Sequence, residues 1–273
     1  MPDYGGEMKK GIRVFFFGWM SMLAALATPA QAGQYCPPFF DSTNTQVATN
    51  VVQPGGTLAP GRADITPAPI GISAFDELVL QACGEFGSKL DPAAVRPVIE
   101  RMNPELIKQL LREFPKVPES EMRDMIFRSW VSTNGFEHVF CGQPRMDKIG
   151  GLHFAARYQE LQNKGQLCRV ENNVPNEEVL PGNVYTVGAG IPGGVNDLKK
   201  GFSIRQSGED IVYQAARTFL RNCSAPAKDR KVCISRSQKD PSFGSLFVCA
   251  PGKGIITFYP LATVPKNGNP DCL

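Results

Sequence analysis

"EHVFCGQPRMDKIGGLH", residues 137–153, holds both histidines of a 273-residue chain, His138 and His153. His138 stands in a short apolar run that reads as a strand over 138–142. His153 falls where a helix opens just after Gly150-Gly151. A helix N-terminus carries partial positive charge, which disfavours an imidazolium, so His153 is expected to be neutral at pH 7. His138 meets no such penalty on this reading. Two imidazoles biased toward opposite protonation states are what general acid–base catalysis requires. Gly150 and Gly151 would let a substrate approach the backbone closely. Two unrelated structural histidines would fit the same spacing, so the surrounding sequence has to decide.

Downstream of Asn134-Gly135 the chain alternates short β-rich segments with Gly/Pro/Asn turns. Strands are expected at 138–142, 166–171, 183–188, 201–206, 231–236, 245–250 and 254–259, the last two forming a hairpin that turns at Pro251-Gly252-Lys253-Gly254. Two helices interrupt them: one from about Gly151 to before Gly165, and one after Ser207, which with Asp210 resembles a capping box. Upstream, residues 73–134 show helical spacing in "AFDELVLQACGEF", "PELIKQLLREF" and "ESEMRDMIFRSW", broken by Gly84, Asn103 and prolines. Residues 33–72 are rich in Pro, Gly, Ser, Thr and Asn and read as a linker or irregular arm, pinned through Cys36. The fold class is α+β: an N-terminal helical lobe, then an antiparallel-β-rich domain over 135–273 with two short helices.

Residues 1–32 have a different character. Lys9, Lys10 and Arg13 precede an apolar run from Val14 to Ala27 and a small-x-small end at Ala30-Gln31-Ala32. That is the pattern of a secretory signal peptide, and the apolar run is short for the ~20 residues of a membrane span. All 8 cysteines lie after this segment. An even number of thiols in an exported chain reads as a disulfide framework whose connectivity the spacing does not reveal. The expected location is therefore secreted or periplasmic, with no stable membrane anchor after cleavage. A net charge of +3 is too small to argue nucleic-acid binding by itself.

The stretch "EHVFCGQPRMDKIGGLH" resembles the EndoU family of endoribonucleases, which share a pattern of the type EHVFxG…GxH. It is also similar to the related segment of the coronavirus uridylate-specific endoribonuclease. In that family a lysine on a later strand, followed four residues on by a serine, joins the two histidines. Lys199 with Ser203 supplies that pair here, and Lys200 is the neighbouring alternative. In an extended strand positions four apart share a face, which favours Lys199. Near the family's C-terminus comes a strand ending Thr-Phe-Tyr-Pro, matched by Thr257 and Tyr259.

The resemblance spans 137–260 and implies an EndoU-like catalytic domain. It implies cleavage of RNA at uridylates by attack of the 2′-hydroxyl, leaving a 2′,3′-cyclic phosphate. The catalytic residues would be His153 as base, His138 as acid and Lys199 as stabiliser of the phosphorane charge. Ser203 would hydrogen-bond the base, Tyr259 and Thr257 would pack about the nucleoside, and Glu137 would orient His138 or lie at the surface.

Two departures from the family pattern bear on chemistry. Animal members carry an acidic residue where Gln143 stands and are associated with manganese; with an amide there, the residues nearby form no evident ligand set, so the expectation is that no cofactor is required, with Mn2+ dependence as the alternative. Cys141 beside His138 reads as half of a disulfide. Its rivals are a zinc site built from His138, Cys141, His153 and Cys168, a Cys/His peptidoglycan or peptide hydrolase using Cys141 and His153, and a non-catalytic RNA-binding module. Even cysteine pairing opposes the first two, and the full set of site residues opposes the third. The expected partner is RNA, joined by an immunity or inhibitor protein if the nuclease is a toxin.

Overall fold

The computed structural model describes residues 36–43, 47–53, 57–171, 173–236, 243–263 and 270–272. The signal-like segment over residues 1–32 lies outside them. Among the described residues no helix is long and apolar enough to cross a membrane.

After a β-hairpin over residues 47–64, four helices follow in the N-terminal half: α1 (Ala74–Cys83), α2 (Val95–Glu100), α3 (Pro104–Glu113) and α4 (Glu119–Val131). Ser73 and Asp76 form a capping box at α1, and Asn103 with Pro104 starts α3 by the usual side-chain cap and ring-fixed φ. Two short helices follow later, α5 (Ala155–Asn163) and α6 (Gly208–Asn222). The capping box expected at Ser207 and Asp210 is present at α6. Buried Asp76 also accepts a hydrogen bond from Gly208 N at 2.6 Å, so one carboxylate serves the starts of both α1 and α6.

The strands form two main sheets. Elements β1 (Val47–Gln53) and β2 (Thr57–Asp64) pair as a hairpin within the 33–72 stretch that reads as a linker. The hairpin adds to β6 (Glu178–Leu180), which pairs with β7 (Val184–Gly190). Strand β7 is the hub of this sheet, pairing also with β5 (Cys168–Arg169) and β8 (Asn196–Ser203). The second sheet is β9 (Lys231–Arg236), β10 (Gly244–Ala250) and β11 (Gly254–Leu261), all antiparallel. A small pair, β3 (Gln143–Pro144) and β4 (Ile149–Gly150), lies between the helices and the first sheet in sequence. The α+β class holds: four of the helices lie in the N-terminal half, behind only the β1–β2 hairpin, and the strand pairings are antiparallel except for β1 with β6.

Two apolar cores result. In the first, α1–α4 and α6 pack with β9–β11 around Trp130, Phe136 and Phe140. In the second, α5 covers the β7–β8 sheet through Tyr158 and Phe202, and Phe39 and Phe40 join it. Those two phenylalanines are tied by their backbones to the Gln162 amide and by the Cys36–Cys168 bridge. The functional stretch 137–153 runs from the first core to the second.

Residues 138–142 are not a strand. Glu137–Cys141 form a π-helical turn that follows closely on α4. A short apolar run such as Val139-Phe140-Cys141 satisfies a buried helical turn as well as a buried strand. Packing decides: Phe140 meets Trp130, Phe136 and Phe154, and Cys141 is bonded to Cys83 on α1.

Candidate active site

The π-turn presents His138, and the chain returns alongside it thirteen residues later. Leu152 N and His153 N donate to the carbonyls of His138 and Val139, both at 2.8 Å. This close return requires Gly151. Its φ is +63°, and a Cβ there would lie 1.7 Å from the His138 carbonyl oxygen. The glycine is therefore demanded by the partner backbone rather than by an approaching substrate. Helix α5 begins only at Ala155, so His153 lies before the helix rather than in its first turn.

His153 runs along the outer edge of β8. Its Nδ1 lies 3.2 Å from Gly201 O, and Phe154 bridges Ser203. A carbonyl only accepts, so this contact places the ring proton on Nδ1 and leaves the Nε2 lone pair free. Burial, then the neighbouring His138 and Lys200 charges, push the His153 pKa down to about 3, against the Gly201 hydrogen bond. The ring is neutral as expected, but the leading cause is desolvation.

His138 differs from expectation. Its pKa is also lowered, by burial first and then by Lys200 and Arg145, while the Gln143 side chain and Glu137 push upward. The two ring centroids are 5.9 Å apart. On the other side of His153 the Tyr259 ring stacks at 4.8 Å and 25°. Burial raises the Tyr259 pKa, so the group stays a phenol.

The lysine beside the histidines is Lys200, not Lys199. Lys200 is buried, its Nζ lies 2.9 Å from Asp197 Oδ2, it donates to Ile149 O, and its charge acts on both rings. Lys199 is 58% exposed and pairs with Glu178 at 2.5 Å. The physical reason is a bulge. Val187 pairs with Lys200 and Ala189 with Asp197, so Leu198 and Lys199 both stand opposite Gly188. A bulge breaks the two-residue alternation on which the choice of Lys199 rested.

One cleft of about 610 Å³ gathers His138, His153, Lys199, Lys200, Tyr259 and the Gly150-Gly151 backbone. Ser203, Thr257 and Glu137 do not line it. Ser203 is buried, donating to Asn183 Oδ1 at 3.0 Å and accepting from Arg205 N at 3.1 Å. Thr257 is buried with its hydroxyl unpartnered. Glu137 accepts from the Gln143 amide at 2.9 Å and from Leu90 N at 3.4 Å, and its charge favours the His138 cation directly.

The spacing arguments ranked Lys200 behind Lys199 and missed its partner Asp197 and Thr186, which also lines the cleft. Asp197 was discoverable, as an acid three residues from a lysine beside a bulge; Thr186 carries no signal in the chain.

All eight cysteines are paired, as Cys36–Cys168, Cys83–Cys141, Cys223–Cys249 and Cys233–Cys272. Cys141 thus has no thiolate for zinc or for nucleophilic attack. Among the described residues no group of three His, Cys, Asp or Glu could hold a metal. The Glu137 carboxylate is occupied by the Gln143 amide, and both histidines face a lysine, so this donor set does not suit manganese. Fully buried Arg157 secures the bridge region, donating to Gly84 O at 2.9 Å and Cys141 O at 3.4 Å.

Residues 132–262 match the family model for the bacterial EndoU nuclease. No curated protein matches the chain.

Proposed function

Because its 132–262 region makes this chain an endoribonuclease of the bacterial EndoU nuclease family, we propose that the cleft cuts single-stranded RNA at uridylates by internal transesterification. The observation that carries this reading is the facing of two imidazoles, 5.9 Å apart, into one cleft beside a buried lysine.

His153 Nε2 takes the 2′-hydroxyl proton as the 2′-oxygen bonds to phosphorus. His138, protonated, gives its proton to the 5′-oxygen as the P–O5′ bond breaks. Lys200 offsets the negative charge gathering on the non-bridging phosphorane oxygens. The products are a 2′,3′-cyclic phosphate and a 5′-hydroxyl end, and no step draws on a metal or other cofactor. Tyr259 holds His153 in place by stacking and borders the nucleoside.

The signal-like residues 1–32 and four disulfides support an exported protein, secreted or periplasmic. Released as a toxin, it would need an inhibitor in the producing cell that covers the cleft.

The oxidised protein is expected to cleave an oligonucleotide at a single uridine and to leave a 2′,3′-cyclic phosphate end detectable by mass. The same oligonucleotide with 2′-deoxyuridine at that position should survive. Cleavage of the deoxy substrate, or persistence of activity in His153→Ala, would refute the mechanism.

A further inference from the structure

The hydroxyl expected to read the base, on Ser203, is committed to Asn183 and Arg205 outside the cleft. Another hydroxyl is in the cleft and uncommitted. Thr186 on β7 is 7% exposed and lines the same cavity as both histidines. Its Oγ1 has no hydrogen-bond partner among the described residues. The residue is almost wholly enclosed, yet its hydroxyl is not among the sealed, unpartnered side-chain atoms, so the little surface it keeps includes a hydrogen-bonding group that a ligand in the cleft can reach.

Its position connects it to the chemistry. Glu178, Thr186 and Gly201 are successive register partners across β6, β7 and β8, and all three line the cleft. The row begins at Gly201, whose carbonyl holds His153 Nδ1. Adjacent strands are about 4.8 Å apart, so Thr186 lies one strand spacing from the strand that positions the base catalyst. At the far end Glu178 accepts from Lys199 and from Thr263 Oγ1 at 3.2 Å, so its charge is compensated. Gly201 keeps the row open: a Cβ there would come to 3.5 Å from both Thr186 Oγ1 and Pro260 O.

We propose that Thr186 is the specificity-determining residue of this endoribonuclease, its hydroxyl reading the pyrimidine edge of the nucleotide whose 2′-oxygen attacks. The hydroxyl accepts from uracil N3–H, or rotates to donate to a carbonyl oxygen of the ring. The slot over Gly201 admits the base edge to it. This assignment rests on the ribonuclease reading of the cleft.

The test compares two oligonucleotides, one with uridine at the cut site and one with an abasic ribonucleotide there. Both retain the 2′-hydroxyl and the scissile phosphate. Wild-type protein should cleave the uridine substrate faster. Thr186→Val keeps the shape and removes the hydroxyl, so it should lower kcat/KM on uridine about tenfold, the worth of one hydrogen bond. The abasic rate should fall much less, so that the uridine-to-abasic ratio narrows. Gly201→Ala adds a methyl at ordinary contact distance and covers the hydroxyl; it should narrow the uridine-to-abasic ratio in the same direction. Retention of the wild-type ratio by either folded variant overturns the assignment. Failure of the wild-type protein to cleave either substrate would instead refute the ribonuclease reading beneath it.

Discussion

Lys199 and Lys200 are adjacent and both line the cleft, so substitution of each separates the bulged register from simple alternation. Lys200 Nζ is held by Asp197 at 2.9 Å and by Ile149 O, with its side chain 10% exposed. A unit charge about 4 Å from a developing oxyanion, at an effective dielectric near 20, is worth about 4 kcal/mol. Loss of one preorganised stabilising group at such a centre lowers kcat by about 10²–10³. Lys200→Ala should therefore fall in that range. Lys199 is an exposed member of an ion pair worth about 0–1 kcal/mol, so Lys199→Ala should cost no more than about fivefold.

The assay is single-turnover cleavage of a fluorescent oligonucleotide with one uridine, at saturating protein, with circular dichroism as the check on folding. Removing Lys200 also leaves the Asp197 carboxylate unpaired beside the substrate. The double variant Lys200→Met, Asp197→Asn removes both charges and should remain slow. If Lys199→Ala proves as damaging as Lys200→Ala, or the double variant recovers the wild-type rate, the assignment to Lys200 fails.

Three further outcomes follow from the site. The lowered imidazole pKa values place the kcat/KM optimum on the acid side: His138 must be protonated and burial holds its pKa below the ordinary imidazole range, so the rate is already lost as pH rises into that range, and it falls again on acidification toward about 3 as His153 charges; a plateau extending through pH 8 would contradict this. Gly151→Ala forces a Cβ into the His138 carbonyl and costs about 1–2 kcal/mol for the left-handed backbone alone, so activity should drop far more than Tm predicts, whereas near-normal cleavage would mean the return of 151–153 along the π-turn is not needed. The paired change Cys83→Ser, Cys141→Ser opens a cross-link of 58 residues separation, worth about 4 kcal/mol on a chain-entropy account, and frees the turn that carries His138; a folded double variant should lose kcat, and wild-type kcat in such a variant would remove the bridge from any role in the site.

Most elements could be read from periodicity because their burial is one-sided. The hairpin turn at 251–254, the capping box at Ser207 and strand β9 fall where spacing places them. Burial on every side accounts for two of the misreadings. Val139-Phe140-Cys141 has no polar face from which a period could be read, so the π-turn was indistinguishable from a strand. Strand β7 is buried along its whole length, and so Thr186 does not stand out there. Residues 47–64 contain Pro54-Gly55-Gly56 and Pro60-Gly61, which look like linker composition, yet they pair as β1 and β2. Ser203 matched the family spacing, but its hydroxyl donates a hydrogen bond to Asn183, twenty residues earlier. Pair spacing along a strand says nothing about a partner on the next one.

The charge balance of the cleft explains how two histidines with lowered pKa values can still divide acid from base. In the free protein Lys200 is answered by Asp197 and Lys199 by Glu178, so the cations do not leave a large excess for the imidazoles to oppose. Desolvation then keeps both rings neutral. A bound phosphodiester changes the sign of the local field. An opposite charge within about 4–6 Å raises an imidazole pKa by about 1–3 units. His138 starts with the smaller penalty and has Gln143 and Glu137 already favouring its cation, so it takes the proton. His153 is more deeply buried, its Nδ1–H is committed to Gly201 O, and a charged neighbour at 5.9 Å now opposes a second cation. The substrate that supplies the reacting phosphate thereby charges the acid and keeps the base neutral, which is why the alkaline limb set by His138 in the kcat/KM profile should lie at higher pH in the kcat profile of the bound complex.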